Sequence, residues 1–133
     1  MIENLGLSDN VFLCGHTKQP ELVLQAADCF VLPSVSHESC PAVLAQALAC
    51  GLPLITSDFG PLAEVNKDSD MGVVVPMCDA AGLSEAIQHM QCDYPAYRKK
   101  VIEKRQSIYK SLSIESMIEK TLNTYAALLT IPE

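Results

Sequence analysis

The sequence predicts an open parallel α/β sheet with helices on both faces, followed by C-terminal helices. Three observations predict this class. Short apolar runs recur between residues 10 and 77, stretches with helical spacing separate them, and the runs show no clean alternation of apolar and polar residues. Apolar runs without strict alternation are typical of parallel strands that are covered on both faces. Their alternation with helices indicates an open sheet joined by right-handed crossovers.

Four apolar runs are predicted strands, each bounded by Asn, Gly, Pro or Ser. Pro53 is tolerated in one of them because it stands at the start of the strand, where a missing N–H costs no ladder bond. The predicted strands are NVFLCG (10–15), CFVLPS (29–34), LPLITSD (52–58) and MGVVVPM (71–77).

Helices are predicted over 20–27, 41–50, 61–66, 81–90, 95–110 and 113–129. Pro20 and Pro41 suit the first helical position, and Gly51 ends the second helix. The last helix carries apolar residues at helical spacing, which predicts core packing or a face that docks on a further domain. We therefore treat residues 1–133 as a single partial domain, with a core over 9–92 and a helical tail over 94–130.

The charge of the chain restricts its partners. Nine Lys and Arg against sixteen Asp and Glu give a net charge of −7, which argues against binding to nucleic acid, because that needs clustered positive charge. Six of the nine basic residues lie between Arg98 and Lys110. This cluster predicts either a solvated helix face or a peripheral contact with anionic lipid.

The cysteines and the N-terminal residues predict the cellular compartment of the chain. The six cysteines include no C-x-x-C pair and no zinc spacing, which favours a reducing, cytoplasmic environment. Thiols inside apolar runs, such as Cys14, are expected to pack as small hydrophobic groups. MIENLGLSDN lacks the features of a signal peptide, and no apolar run approaches the roughly 20 residues that span a membrane.

Residues 33–51 combine a strand end with a helix start. Ligands of open α/β sheets bind beyond the carboxyl ends of the strands, and Pro33-Ser34 stands at such an end. The next helix begins at Pro41, so the amides of Ala42 and Val43 have no partner inside it. Together with the helix dipole these amides form a site for an anion, typically a phosphate.

Two polar side chains flank this helix start. Glu38 precedes it and could accept hydrogen bonds from ligand hydroxyls, while Gln46 lies one turn beyond Ala42 and leans back toward the helix N-terminus. A carboxylate, an anion hole and a carboxamide around one pocket suit a sugar phosphate or a nucleotide sugar. On spacing alone the signal is weak, and a solvated loop position for Glu38 with a surface position for Gln46 is the favoured interpretation.

The run AADCFVLPSVSHESCPAVLAQALACGLPLITSDFGPLAEV (26–65) resembles the donor-binding region of the retaining glycosyltransferases of family 4, which have the GT-B fold. NVFLCGH (10–16) and MGVVVPMCDAAGLSEAI (71–87) resemble the flanking segments of the same region. The positions that match the family pattern are Asp28, Pro33, Ser34, Glu38, Ala47, Ala49, Gly51, Pro53, Gly60 and Glu64.

The resemblance implies a Rossmann-like domain, the C-terminal half of a GT-B fold, in an enzyme of polysaccharide biosynthesis. Such an enzyme transfers a sugar from a UDP- or GDP-linked donor to an acceptor with retention, and needs no metal or other cofactor. Glu38 matches the residue that contacts the donor sugar, and Gln46 matches the one that holds the ribose. The loop amides that face the diphosphate match Ser39, Cys40, Pro41, Ala42 and Val43, while His16 and His37 are candidates for further donor-side contacts.

Two departures from the family pattern concern the donor. Gln46 stands where the family has a second Glu, and loses charge-assisted hydrogen bonds, which are about twice as strong as neutral ones. Ser39-Cys40-Pro41 replaces a common Gly-Phe-Gly, and the proline removes one N–H from the anion hole.

The resemblance covers only the later part of the second GT-B domain. We therefore expect a chain that is incompetent alone and is completed by a missing N-terminal acceptor domain or by a homo-oligomer. Two alternatives stay open: a non-catalytic, degenerate GT-B module that assembles with a partner chain, and an epimerase of similar build that also binds a nucleotide sugar.

Overall fold

The computed structural model describes residues 1–36, 42–69, 71–111 and 113–129. A short 3-10 turn at Glu3–Leu5 precedes the main elements, and from Pro20 to Cys92 helices alternate with strands as the sequence predicts. They are α1 (Pro20–Ala26), β1 (Phe30–Leu32), α2 (Ala42–Ala49), β2 (Leu54–Ser57), α3 (Gly60–Ser69), β3 (Gly72–Val75), α4 (Ala80–Cys92), α5 (Tyr94–Ser111) and α6 (Ile114–Leu129).

The three strands form one parallel sheet in the order β1-β2-β3. Phe30 is in register with Leu54, and Leu54 with Gly72. Helices surround the sheet, which confirms the predicted fold class.

Alternate residues of the strands belong to two apolar clusters. Phe30, Leu32 and Leu54 join the larger one, which also holds Leu48 of α2 and Val101 of α5, both almost fully buried. The second cluster packs the remaining strand residues against α4, and its members include Val31, Ile55, Val73, Val75, Ala86 and Met90. Because side chains of a strand alternate in direction, the two clusters lie on opposite faces of the sheet.

A buried amide joins α3 to the sheet. The Nδ2 of Asn66 donates hydrogen bonds to the Thr56 hydroxyl at 3.0 Å and to the Val73 carbonyl at 2.9 Å. Gly72 lies next to this amide, and a Cβ there would overlap the backbone carbonyl of Leu54 and come within 2.8 Å of the Asn66 Oδ1. Only glycine therefore lets α3, β2 and β3 approach this closely.

The prediction of a strand at residues 10–15 was wrong. The segment is irregular, with Phe12 74% and Leu13 86% exposed. Cys14 is exposed as well, so its predicted apolar packing was also wrong. A strand needs a neighbour for its N–H and C=O groups, and within the described residues β1 has a neighbouring strand only in β2.

The prediction that the last helix packs into the core was also wrong. α6 forms over the expected residues and contacts α5, but none of its residues is buried. Its apolar residues point to solvent, with Ile118 49% and Leu129 86% exposed. Helical spacing predicted this helix correctly, but it carried no information about what the apolar face contacts.

Basic residues of α5 have partners within the chain. Lys99 forms an ion pair with Glu103 at 3.8 Å, and Arg98 donates to the Gly51 carbonyl at 3.4 Å. The Lys100 Nζ lies 6.0 Å from the centroid of the Tyr97 ring. Among the helices that the structure describes, none combines the length and the apolar character needed to cross a bilayer.

Candidate functional site

The carboxyl ends of the three strands meet at one edge of the sheet, because the strands are parallel and in register. α2, α3 and α4 follow β1, β2 and β3 along the chain, so each begins at this edge. Helix N-termini present unpaired amides and the positive end of the helix dipole. The start of α2 therefore has the polarity that suits an anionic ligand, whereas at the start of α4 the Asp79 carboxylate accepts a hydrogen bond from the Gly82 N–H.

Two hydrogen bonds fix the strand ends to one another. The Ser57 hydroxyl at the end of β2 donates to the carbonyl of Ser34, just beyond β1. The Asp58 N–H donates to the Val75 carbonyl at 2.7 Å. The chain thus leaves β1 from a fixed point before it reaches the segment 37–41, which lies outside the described residues.

A cavity of about 220 Å³ opens at this edge. Ser57 and Asp79 contribute polar side chains to its wall, and the Asp79 carboxylate caps α4 by accepting a hydrogen bond from the Gly82 N–H at 2.9 Å. Cys78 has a φ of 60° and turns the chain from β3 into α4. The other lining residues are Pro33, Val35, Val75, Pro76, Ala80 and Leu83.

The predicted anion site falls on the start of α2. Ala42 is the first residue of the helix and is exposed, while Val43 is half-buried. The first four N–H groups of a helix have no intrahelical acceptor. The structure thus places both predicted residues in the first turn of α2.

Gln46 lies one turn further along α2 and is exposed. Its side chain lines a cavity of about 200 Å³ between α1 and α2, together with Pro20, Glu21, Leu24, Ala49 and Cys50. This cavity shares no lining residue with the cavity at the strand ends. A ligand that contacts both Ala42 and Gln46 would therefore extend along the exposed side of α2.

The remaining predicted site residues are only partly covered by the structure. His16 is exposed in the irregular segment before α1. His37, Glu38, Ser39, Cys40 and Pro41 lie outside the described residues. Within the described part of the chain, no group of three or more His, Cys, Asp or Glu side chains is placed to hold a metal ion.

A larger cavity of about 490 Å³ lies beside α4, against Cys29, Val31 and Ile55 of the sheet. Its walls are mainly apolar, and burial, with a smaller contribution from the charge of Asp28, raises the pKa of the Cys29 thiol to about 11. A thiol that stays protonated in apolar surroundings is inert. Besides Gln91 and Tyr94, the lining residues offer no side-chain donor for a diphosphate, and the Asp28 carboxylate would repel one.

Two features of the site were missed in the sequence. The bond between Ser57 and Ser34 joins residues 23 positions apart, and it depends on the register of β1 and β2. The Asp79 cap has a sequence signal, because an Asp directly before the helical stretch AAGLSEAI is a favoured N-cap.

Comparison with known proteins defines the family. The family described as "Glycosyl transferases group 1" matches residues 1–107. The chain belongs to the group 1 glycosyltransferases. This membership confirms the predicted relationship at the level of the family and of the GT-B-like fold.

The proteins that this chain resembles carry several different names. An exopolysaccharide phosphotransferase of Streptomyces coelicolor is 36% identical over 95 residues, which are 70% of this chain and 10% of that protein. Glycogen synthase of Mycobacterium tuberculosis is 32% identical over 115 residues, 85% of this chain and 28% of the synthase. The structure of a sucrose-phosphate synthase from Thermosynechococcus elongatus superposes with a TM-score of 0.81 at 28% identity.

The superposition covers 96% of this chain but 32% of the sucrose-phosphate synthase chain. The chain thus spans about a third or less of the length of these relatives. Its similarity is to one part of each of them.

Proposed function

We propose that this chain is the donor-binding part of a retaining group 1 glycosyltransferase, which holds a UDP- or GDP-linked sugar. The observation that carries the proposal is the start of α2 at the carboxyl edge of the parallel sheet, within the segment that matches the family. Helix N-termini in this position are suited to phosphate groups.

The first turn of α2 would bind the diphosphate. The amides of Ala42 and Val43 supply hydrogen-bond donors and the helix dipole supplies a partial positive charge. These local donors are needed because the chain as a whole carries a charge of −7, which repels an anionic ligand at long range. The resemblance to the family adds the amides of the preceding loop, residues 39–41.

The same donors would assist sugar transfer. When the bond between the anomeric carbon and the phosphate oxygen breaks, the leaving diphosphate takes the electron pair and gains negative charge. Preorganised N–H groups at that oxygen stabilise the transition state more than the ground state. The acceptor hydroxyl oxygen then bonds to the anomeric carbon on the face that the phosphate leaves, which preserves the configuration, and its proton passes to an oxygen of the departing diphosphate.

We assign Glu38 to the donor sugar and Gln46 to the ribose. A carboxylate before the helix start accepts hydrogen bonds from sugar hydroxyls, and orients the anomeric carbon relative to the diphosphate. The Gln46 carboxamide can donate to one ribose hydroxyl and accept from the other, but without the extra strength of a charged group. Gln46 is exposed on α2, so it is accessible to a ligand.

The acceptor must be held by something other than the described residues. Because the chain spans about a third of its relatives, we infer that a missing N-terminal acceptor domain or a second copy completes the active site. The chain alone should bind nucleotide donors and fail to transfer their sugar.

Calorimetric titration of the chain tests this function. We expect saturable binding of UDP or GDP and weaker binding of the matching nucleoside, because the diphosphate makes the contacts with α2. Glu38→Gln should weaken binding of the nucleotide sugar more than binding of the nucleoside diphosphate. Glu85→Gln, on the exposed side of α4, should change the affinity for neither ligand. Absence of binding by every nucleotide and nucleotide sugar would contradict the proposal.

One observation favours the degenerate, non-catalytic alternative, namely the neutral Gln46 at the ribose position. In that case the chain would bind no nucleotide. The titration therefore distinguishes directly between a donor-binding part and a degenerate, non-catalytic module.

A further inference from the structure

The cavity of about 200 Å³ between α1 and α2 contains a carboxylate in addition to the Gln46 carboxamide. Glu21 of α1 lines this cavity together with Gln46 of α2, and both residues are exposed to solvent. The rest of the wall comes from Pro20, Leu24, Ala49 and Cys50. A carboxylate and a carboxamide therefore share one small, accessible cavity whose remaining lining residues have no strongly polar side chain.

The packing of α1 on α2 holds Glu21 on the side of this cavity. Leu24 is 8% exposed and belongs to the same apolar cluster as Leu48 of α2. Glu21 lies three residues before Leu24, and side chains three residues apart lie on the same face of a helix. Gln46 precedes Ala49 by the same spacing on α2. The helix faces that carry Glu21 and Gln46 therefore border the cavity from opposite sides.

The size and place of the cavity suit one part of a nucleotide. Pockets that enclose a drug-sized ligand measure about 300–1,000 Å³, so the volume of about 200 Å³ fits a pentose better than a whole nucleotide. α2 begins at Ala42, one turn before Gln46, and a turn of helix rises about 5.4 Å. A ribose beside Gln46 would thus lie within a short distance of the amides that we assign to the diphosphate.

The two polar side chains complement each other in hydrogen bonding. A carboxylate only accepts hydrogen bonds, whereas a carboxamide both donates and accepts them. Each ribose hydroxyl can donate one hydrogen bond and accept others. Glu21 can therefore accept charge-assisted hydrogen bonds from the ribose hydroxyls, while Gln46 donates to one of their oxygens.

We propose that Glu21 supplies the carboxylate that Gln46 lacks, binds the 2′- and 3′-hydroxyls of the donor ribose, and thereby favours ribonucleotides over 2′-deoxyribonucleotides. This assignment rests on the proposed donor-binding function, because the ribose reaches the cavity when the diphosphate binds at the start of α2. A ribonucleotide donates two hydrogen bonds to Glu21, and a 2′-deoxyribonucleotide donates one.

Calorimetric titration of the chain with UDP, GDP and their 2′-deoxy counterparts tests this role. We expect the wild type to bind the ribonucleotide about tenfold more tightly than its 2′-deoxy counterpart, because one charge-assisted hydrogen bond is lost with the 2′-hydroxyl. Glu21→Gln should weaken binding of the ribonucleotide about tenfold and reduce the preference for ribose to about threefold. A purely structural effect on α1 would weaken both ligands equally and leave the preference unchanged.

Glu115→Gln is the matched control. Glu115 lies in the first turn of α6, as Glu21 lies in the first turn of α1. The control variant therefore removes the same charge from the same position of a different helix, and it should change neither affinity. Circular dichroism verifies that both variants keep the helix content of the wild type.

An exchange of the two side chains tests whether they serve one ligand. The double variant Glu21→Gln with Gln46→Glu keeps the net charge and moves the carboxylate across the cavity. It should bind the ribonucleotide with an affinity close to that of the wild type and regain the preference for ribose. A double variant that binds as weakly as Glu21→Gln alone would contradict a shared ribose site.

Failure of this assignment can be told from failure of the proposed function. A wild-type chain that binds no nucleotide overturns the donor-binding function and the role of Glu21 with it. If the wild type binds UDP or GDP, and Glu21→Gln has the same affinity and the same preference for ribose, only the role of Glu21 is overturned.

Discussion

At the scale of single residues, the proposed function makes Gln46 the residue on which the affinity for the nucleotide depends. Its carboxamide is exposed on α2, one turn beyond Ala42 at the start of the helix. A carboxylate at this position would accept charge-assisted hydrogen bonds from both ribose hydroxyls.

We therefore expect Gln46→Glu to lower the dissociation constant of UDP or GDP about tenfold, equivalent to about 1.4 kcal/mol. Isothermal titration calorimetry measures this change. Gln91→Glu, on the exposed side of α4, is a control for the added charge and should have no effect. An unchanged affinity in Gln46→Glu would remove Gln46 from the ribose site.

Cys29 gives a second prediction at the residue scale. Burial, and to a lesser degree Asp28, raise the pKa of its thiol from 9.0 to about 11. Between these values the unfolded chain loses the proton while the folded chain keeps it, so Cys29 lowers the free energy of unfolding as the pH rises from about 9 to about 11.

At pH 9, alkylation of Cys29 by iodoacetamide should be roughly 50-fold slower in the native chain than in urea, because the thiolate is the reacting form. Mass spectrometry of the alkylated peptides measures both rates. The exposed Cys92 should change much less between the two conditions. Equal rates for Cys29 would mean that the thiol is not shielded.

At the scale of elements, α3, β2 and β3 pack tightly around Gly72. A Cβ at this position would meet the backbone carbonyl of Leu54, which belongs to the neighbouring strand and cannot rotate away. The Asn66 amide, which binds Thr56 and the Val73 carbonyl, would have to move as well.

Gly72→Ala should therefore lower the free energy of unfolding by about 3 kcal/mol, at the upper end of overpacking effects. Urea denaturation followed by circular dichroism measures the loss. Ser84→Ala, on the exposed side of α4, should change stability by less than about 0.5 kcal/mol. A Gly72→Ala protein as stable as wild type would contradict the packing described for this junction.

The elements also show what the sequence could predict. The apolar runs at 29–34, 52–58 and 71–77 became β1, β2 and β3, because each has a pairing neighbour in the described sheet. The run at 10–15 has the same pattern but no such neighbour, and pattern alone cannot supply one. Helical spacing located α6 correctly, because it defines the apolar face of a helix. It could not predict the contacts of α6, because spacing does not define what that face packs against.

The candidate site was predictable to a similar degree. Pro41 and the strand end before it indicated where α2 starts, and the structure begins the helix at Ala42. The link between Ser57 and Ser34 could not be read from the sequence, because it depends on how β1 and β2 align. The roles of Glu38 and of residues 39–41 stay predictions, since these residues lie outside the described part of the chain.

At the scale of the whole molecule, the chain is one part of a group 1 glycosyltransferase fold. The carboxyl edge of its sheet carries the start of α2, which suits an anion, and the apolar side of α6 is exposed. Because the chain covers about a third or less of its relatives, we propose that it binds the donor and that another domain or copy binds the acceptor.

Chemical-shift mapping of the ¹⁵N-labelled chain during titration with UDP and GDP tests the central claim most directly. We expect the largest changes at the amides of Ala42, Val43 and Gln46, smaller ones at Ser34 and Ser57, and none at Met90. No shifts with either nucleotide, or shifts confined to the apolar cavity around Cys29 and Met90, would contradict a nucleotide site at the start of α2.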